Sequence, residues 1–233
     1  MPKSIKKRKI VKKTIDERVE VKSFISRFKG YAADNRKVFV AGTASVVAAV
    51  VLIAGLFIYS NYAKNKADRL EYEAYKAYYG LYQKQQVITK EERYKKAEEL
   101  FEKAYDARKT PASLFYIANC YYELGRYDDA LENLKKLNQR FPNDVRFVPL
   151  SYYKMAMASM KKGNNDEALK FLDTLDKFKT GAHRDLSLIE SGKLLEIMGR
   201  ADEAMKKYDE LVRNFPQSPF AEEARARISG KKS

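Results

Sequence analysis

GRYDDALENLKKL at residues 125–137, GNNDEALKFLDTL at 163–175 and GRADEAMKKYDEL at 199–211 are one phrase written three times, at spacings of 38 and 36 residues. Each copy opens on a glycine and continues with an acidic pair. Small and apolar residues then recur at i, i+4 and i+7, as Ala130, Leu134, Leu137 in the first copy and Ala168, Leu172, Leu175 in the second. That spacing lines one face of an α-helix. The leading glycine suits a preceding helix that must end in a left-handed cap. A weaker copy, RYKKAEELFEKAY, covers 93–105.

The phrases are the second helices of helix-turn-helix units, and their period resembles that of tetratricopeptide (TPR) repeats. A whole unit can be followed from Pro111, where Leu114, Ile117, Ala118, Tyr121, Ala130, Leu134, Leu137 and Pro142 fall on the signature slots of that family. A unit from Pro149 supplies Tyr152, Met155, Ala156, Ala168, Leu172 and Leu175, with Ser159 in place of the usual Tyr. A unit from Asp185 supplies Leu188, Gly192, Leu195, Ala204, Tyr208, Leu211 and Pro216. Ala118, Ala156 and Gly192 face Ala130, Ala168 and Ala204, so paired backbones can approach closely. The earliest unit keeps Ala97, Phe101 and Ala104, but its inter-helix turn is stretched over 85–91 and lacks the turn glycine. No single pair buries its apolar face alone, so the units must stack. Residues 87–233 therefore read as a TPR-like domain, closed by a short capping helix over 219–228.

Composition agrees with an all-α chain. Ten Gly and six Pro in 233 residues are too few for a turn-rich β fold, and 45% hydrophobic residues suffice for a core. The net charge of +15 suggests nucleic acid until its position is examined: residues 1–37 hold 13 Lys and Arg against 4 Asp and Glu, a net of +9. The excess belongs to a basic tail. Its cluster at 6–13 has no aromatic or glycine interleaving, and no nucleic-acid partner is expected.

Between Val38 and Ala63 no residue is charged. Residues 38–59, dense in Val, Ala, Leu, Ile and Phe, would form a helix of roughly 33 Å, enough for a hydrocarbon core of about 30 Å. Phe39, Tyr59 and Tyr62 fall where rings settle at the interface. The run is too long for the apolar part of a signal peptide and has too long a basic lead. No cysteine follows it to take a lipid. Arg27, Lys29, Arg36 and Lys37 crowd one end, whereas Lys64, Lys66 and Arg69 at the other are diluted by Asp68, Glu71 and Glu73. The positive-inside rule then places the tail in the cytoplasm and the repeats outside it. Within the tail, Val21, Phe24, Ile25, Phe28 and Tyr31 share a helical face, with Lys22, Arg27 and Lys29 elsewhere. Two readings stay open: an amphipathic helix on anionic headgroups, or a solvated tail whose charge only sets topology. Residues 60–86, rich in tyrosine at 72, 75, 78, 79 and 82, read as a helical linker running on from the span into the first repeat.

No catalytic constellation emerges, and no enzyme activity, metal or cofactor is expected. Cys120 is the only cysteine and His183 the only histidine, and neither a nucleophile elbow nor a phosphate-binding glycine loop is present. Cys120 reads as a packed small hydrophobe and His183 as an exposed loop residue. What remains is the concave groove. The positions that line it in TPR domains are here Phe115, Asn119 and Tyr122, then Leu150, Tyr153, Met157 and Met160, then Leu186, Ile189 and Ile197. These make an apolar groove for protein segments, unless the capping helix or a neighbouring subunit fills it.

One span near the start, an amphipathic lead reading FISRFKGYAADNRKVFVAG and repeats after it resemble the YfgM-like ancillary subunits of the bacterial Sec translocon. The resemblance implies a bacterial inner-membrane protein with a periplasmic repeat domain. Its partners would be translocon subunits, a periplasmic prolyl-isomerase-like chaperone or unfolded chain segments, and a homo-oligomer is also allowed. NFPQSPFAEEARARI at 214–228 is similar to repeat phrases of outer-membrane assembly lipoproteins and cell-envelope coordinators. The alternative is thus a structural scaffold for another envelope complex in division, outer-membrane assembly, secretion or motility. The charge asymmetry makes one direct prediction: a reporter active only in the periplasm, fused after Ser233, should function. Activity of a cytoplasmic reporter at that position instead would refute this topology.

Overall fold

The computed structural model of the chain describes residues 17–81 and 89–230. The basic cluster at 6–13, Tyr82 and the stretched turn from 85 to 88 lie outside the described residues. Every regular element among the described residues is an α-helix, in two units covering residues 1–60 and 61–233.

The first unit holds α1 (Glu17–Asp34) and the beginning of α2 (Arg36–Tyr79). Asn35 is the joint, its amide bonded to the Tyr31 carbonyl and its own carbonyl accepting from Phe39, both at 3.0 Å. α2 contains a stretch long and apolar enough to cross a membrane, and none of it is buried within the protein. Phe24, Phe28 and Tyr31 of α1 are exposed as well.

In the second unit, the end of α2 and α3 (Lys90–Ala107) form the earliest helix pair. α4 (Pro111–Glu123) with α5 (Tyr127–Arg140), α6 (Phe147–Lys161) with α7 (Asn165–Asp176) and α8 (Arg184–Ile197) with α9 (Ala201–Asn214) follow, and α10 (Ala221–Gly230) packs on α9. Contacts run mainly between neighbours in the chain, as a solenoid requires.

The turn glycines behave as their chemistry demands. Gly125, Gly163 and Gly199 adopt φ of 74°, 80° and 74°, and the residue after each donates back to Tyr121, Ser159 and Leu195. This is the double-bonded cap that satisfies orphan carbonyls at a helix end. The same cap ends α2 earlier than expected. Gly80 has φ of 71° and Leu81 donates to the Lys76 carbonyl at 2.9 Å, so the helix stops at Tyr79 and not at Gln86. The first unit thus has its cap glycine, placed ahead of the stretched turn.

Small-against-large pairing sets the interior. Ala118 and Leu134 share one core cluster, and Ala156 and Leu172 share another. In the last pair Tyr208 replaces the Leu and Gly192 the Ala, and the extra ring volume is accommodated by the missing methyl. A Cβ on Gly192 would stand 2.3 Å from Cε1 of the fully buried Tyr208. The α2 end adds rings to buried Ala74, Ala77 and Ala97: Tyr116 meets Tyr75 at 4.7 Å, Tyr78 at 5.5 Å and Phe101 at 5.2 Å between centroids.

Three buried serines stitch successive units at the same repeat position, a signal not recognised from the sequence. Ser113 donates to Glu71 at 2.6 Å, Ser151 to the Val148 carbonyl at 2.7 Å and to the Asn138 side chain, and Ser187 to the Leu172 carbonyl at 2.6 Å. Thr110, the α4 N-cap, also donates to Glu71 at 2.8 Å and fixes α4 against α2. Gly192→Ala should overpack this interior and destabilise the domain by about 1–3 kcal/mol. Thermal denaturation of residues 61–233 followed by circular dichroism measures it, and an unchanged midpoint would contradict the Gly192–Tyr208 contact.

Candidate protein-binding groove

The groove positions of α4, α6 and α8 do not share one environment. Ile189 has no exposed surface; it lies in the core with Leu188, Tyr208 and Ala221, so it is withdrawn from the expected groove. Leu186 is half-buried against the same core. Phe115 stacks edgewise on Tyr116 and lies 5.4 Å from the Phe147 ring, filling space between α4 and α6. Met157 and Met160, with Met198, half-cover a core of Ala156, Ala168, Leu172 and Leu194. Ile197 alone in the set projects freely, 70% exposed.

Nor is the groove uniformly apolar. Lys193 on α8 pairs with Glu190 at 3.5 Å and with Glu223 of α10 at 3.1 Å, while Glu196 pairs with Arg227 of α10. The capping helix therefore lays its own charges on the α8 end of the groove. That end is occupied intramolecularly, which is why charged residues are tolerated there.

The α4–α6 part is different. Asn119 is buried to 4% exposure, and its side-chain oxygen has no hydrogen-bond partner. A buried amide left in this state costs stability. Beside Asn119 on α4, Tyr122 carries the Lys154 ammonium 4.4 Å above its ring. Desolvation lowers the Lys154 pKa below the ordinary lysine value, with the Glu123 charge opposing the shift. Glu123 is itself paired with Lys90 at 3.5 Å, and Lys154 has no carboxylate within ion-pair distance among the described residues. Desolvation and the Glu190 and Tyr122 charges raise the Tyr153 pKa, so its hydroxyl stays neutral at physiological pH. The result is a buried acceptor without a donor on α4 and, beside Tyr122, a cation without a carboxylate.

Lys154 was absent from the expected groove because it lies one residue beyond the family position held by Tyr153. Its signal was present: it is the only charged residue in FVPLSYYKMAMASM, residues 147–160.

Outside this region, no group of three or more His, Cys, Asp or Glu among the described residues could hold a metal ion. Cys120 is buried and desolvation pushes its thiol pKa up, away from reactivity. His183 is exposed at the start of α8 with φ of 63°. On α1, Phe24 and Phe28 stack at 6.4 Å, and Ile25, Arg27 and Lys29 are exposed around them.

Residues 90–175 match a family model described as anaphase-promoting complex, cyclosome, subunit 3, and residues 189–218 match one described as tetratricopeptide repeat. The fold is that of tetratricopeptide helical repeats. Among solved structures, that titled as the functional characterisation of Pseudomonas aeruginosa pilF is similar at 16% identity and TM-score 0.53, covering 71% of this TPR chain and 72% of its own. MamA is similar at 18% identity and TM-score 0.48, over 63% of this chain and 87% of that one. YrrB, described as a TPR protein with an unusual peptide-binding site, is similar at 19% identity and TM-score 0.48, over 72% and 90%. Likeness at these identities concerns the fold alone. None of the curated proteins matches the chain.

Because the Asn119 oxygen is buried without a partner, Asn119→Leu should leave the melting temperature of residues 61–233 unchanged or raise it. A drop of several degrees would mean that the amide serves the fold and not a ligand.

Proposed function

We propose that this TPR protein is a membrane-anchored interaction module, ancillary to a bacterial protein-translocation channel, whose α4–α6 groove holds extended peptide segments. The observation that supports the reading is the Lys154 ammonium held over the Tyr122 ring with no carboxylate partner. A peptide carbonyl or carboxylate suits that ammonium, while Tyr122, Tyr153 and Met157 offer adaptable apolar contact. The apolar stretch of α2, long enough to cross a membrane, supports anchoring. The inner membrane, with the tail cytoplasmic and the repeats periplasmic, follows from the distribution of Lys and Arg around that stretch. The exposed face of Phe24, Ile25 and Phe28, with Arg27 and Lys29, fits an anionic membrane surface. The segments received would be those of translocon subunits, a periplasmic chaperone or a chain in transit.

The test is a photo-crosslinker at Tyr153 in membranes engaged in translocation, with adducts identified by mass spectrometry. The paired change Asn119→Leu and Lys154→Met removes both groups without inserting a charge among half-buried side chains. It should lower adduct yield roughly tenfold while the domain stays folded. Unchanged yield would remove the groove from the mechanism. Adducts confined to probes in α1 and α2 would favour the scaffold reading.

A further inference from the structure

Building on the reading of α2 as a membrane anchor, we propose that the elbow between α1 and α2 holds one acyl chain of an anionic phospholipid, whose phosphate meets Arg36 and Lys37. The elbow is visible in ring positions. A straight helix would separate residues eleven apart by about 16 Å along its axis. The rings of Phe28 and Phe39 are nevertheless 5.5 Å apart and edge-to-face, so the two helices fold toward each other about Asn35.

Inside the bend lies a hollow of about 520 Å³, bordered by Tyr31, Phe39, Gly42, Thr43, Val46 and Val47. Its lining is apolar even at Thr43, whose hydroxyl is turned onto the Phe39 and Val40 carbonyls at 3.0 Å. Gly42 keeps it open, since a Cβ there would meet nothing within 4 Å. The face from Val38 to Val47 is about 15 Å long, half of a hydrocarbon core, which is the reach of one leaflet.

Charge selects the occupant. Arg36 and Lys37 directly precede Val38 at the end of the hollow, Arg27 and Lys29 lie on α1, Asp34 is the one acid between Arg27 and Lys37, and among the described residues none of the four cations is ion-paired. An open apolar hollow that adjoins Arg36 and Lys37 along the chain matches a lipid tail joined to a phosphate. A second copy of α2 docking on the same face would bring another Arg36 and Lys37 to that end when parallel, and like charges oppose it.

Native mass spectrometry of the full chain, released from detergent containing phosphatidylglycerol and phosphatidylcholine in equal amounts, tests the proposal. The wild type should retain phosphatidylglycerol at one molecule per chain. Gly42→Leu, whose Cβ would meet no protein atom within 4 Å and whose side chain would project into the hollow, should lose it. Arg36→Gln with Lys37→Gln should lower retention of phosphatidylglycerol roughly tenfold or more, to the level of phosphatidylcholine. Equal retention of both lipids by the wild type, or full retention by Gly42→Leu, would overturn the proposal. So would a wild-type dimer that Gly42→Leu dissociates, which would assign the face to a second copy. Alkaline extraction of membranes separates the underlying reading: wild type and variants should all resist it. Release of the wild type would show that α2 does not anchor the chain and would end the lipid proposal with it.

Discussion

The solenoid rests on the close approach of paired helices, and close approach requires one side chain at each crossing to be small. Ala118 admits Leu134, Ala156 admits Leu172, and Gly192 admits the larger Tyr208. Interiors at crystal-like density leave no slack, so a gain of volume on one helix must be matched by a loss on its partner. The repeats do this within a single chain: the Leu-to-Tyr enlargement is offset by the Ala-to-Gly reduction at the facing position. Everything else in the domain, including the direction in which groove residues point, follows from these crossings.

Stacking the pairs needs a second device, because each pair leaves an apolar face uncovered. The buried serines Ser113, Ser151 and Ser187 hydrogen-bond into the preceding unit and fix the step from one pair to the next. At the α2 end, where large rings pack beside buried Ala74, Ala77 and Ala97, Glu71 accepts from both Thr110 and Ser113 and supplies the same registration. At the other end, α10 closes the stack through Glu223 and Arg227.

Function enters where these devices leave something unsatisfied. α10 pairs with the charges of the α8 groove positions, whereas the Asn119 oxygen has no hydrogen-bond partner and Lys154 lies over the Tyr122 ring with no carboxylate beside it. The proposed peptide ligand rests on the second of these. The same logic applies at the elbow, where Arg36 and Lys37 flank a hollow maintained by Gly42.

The sequence by itself determined the helical class, the three strong repeats, their glycine caps, the capping helix and the apolar stretch in α2. These depend on local chemistry: the period of an α-helix, the left-handed tolerance of glycine and the length of an uncharged run. It also proposed Asn119, Tyr122, Tyr153 and Met157 as residues of one groove, from repeat position alone. Only the tertiary structure decided that Ile189 is core, that α10 takes the α8 end, that Lys154 stands beside Tyr122 and that α2 stops at Tyr79. Each of these turns on which side chain from another helix arrives at a position. A repeat pattern gives the direction in which a residue points, but burial and pairing are set by what stands opposite, and that is a property of the packed chain.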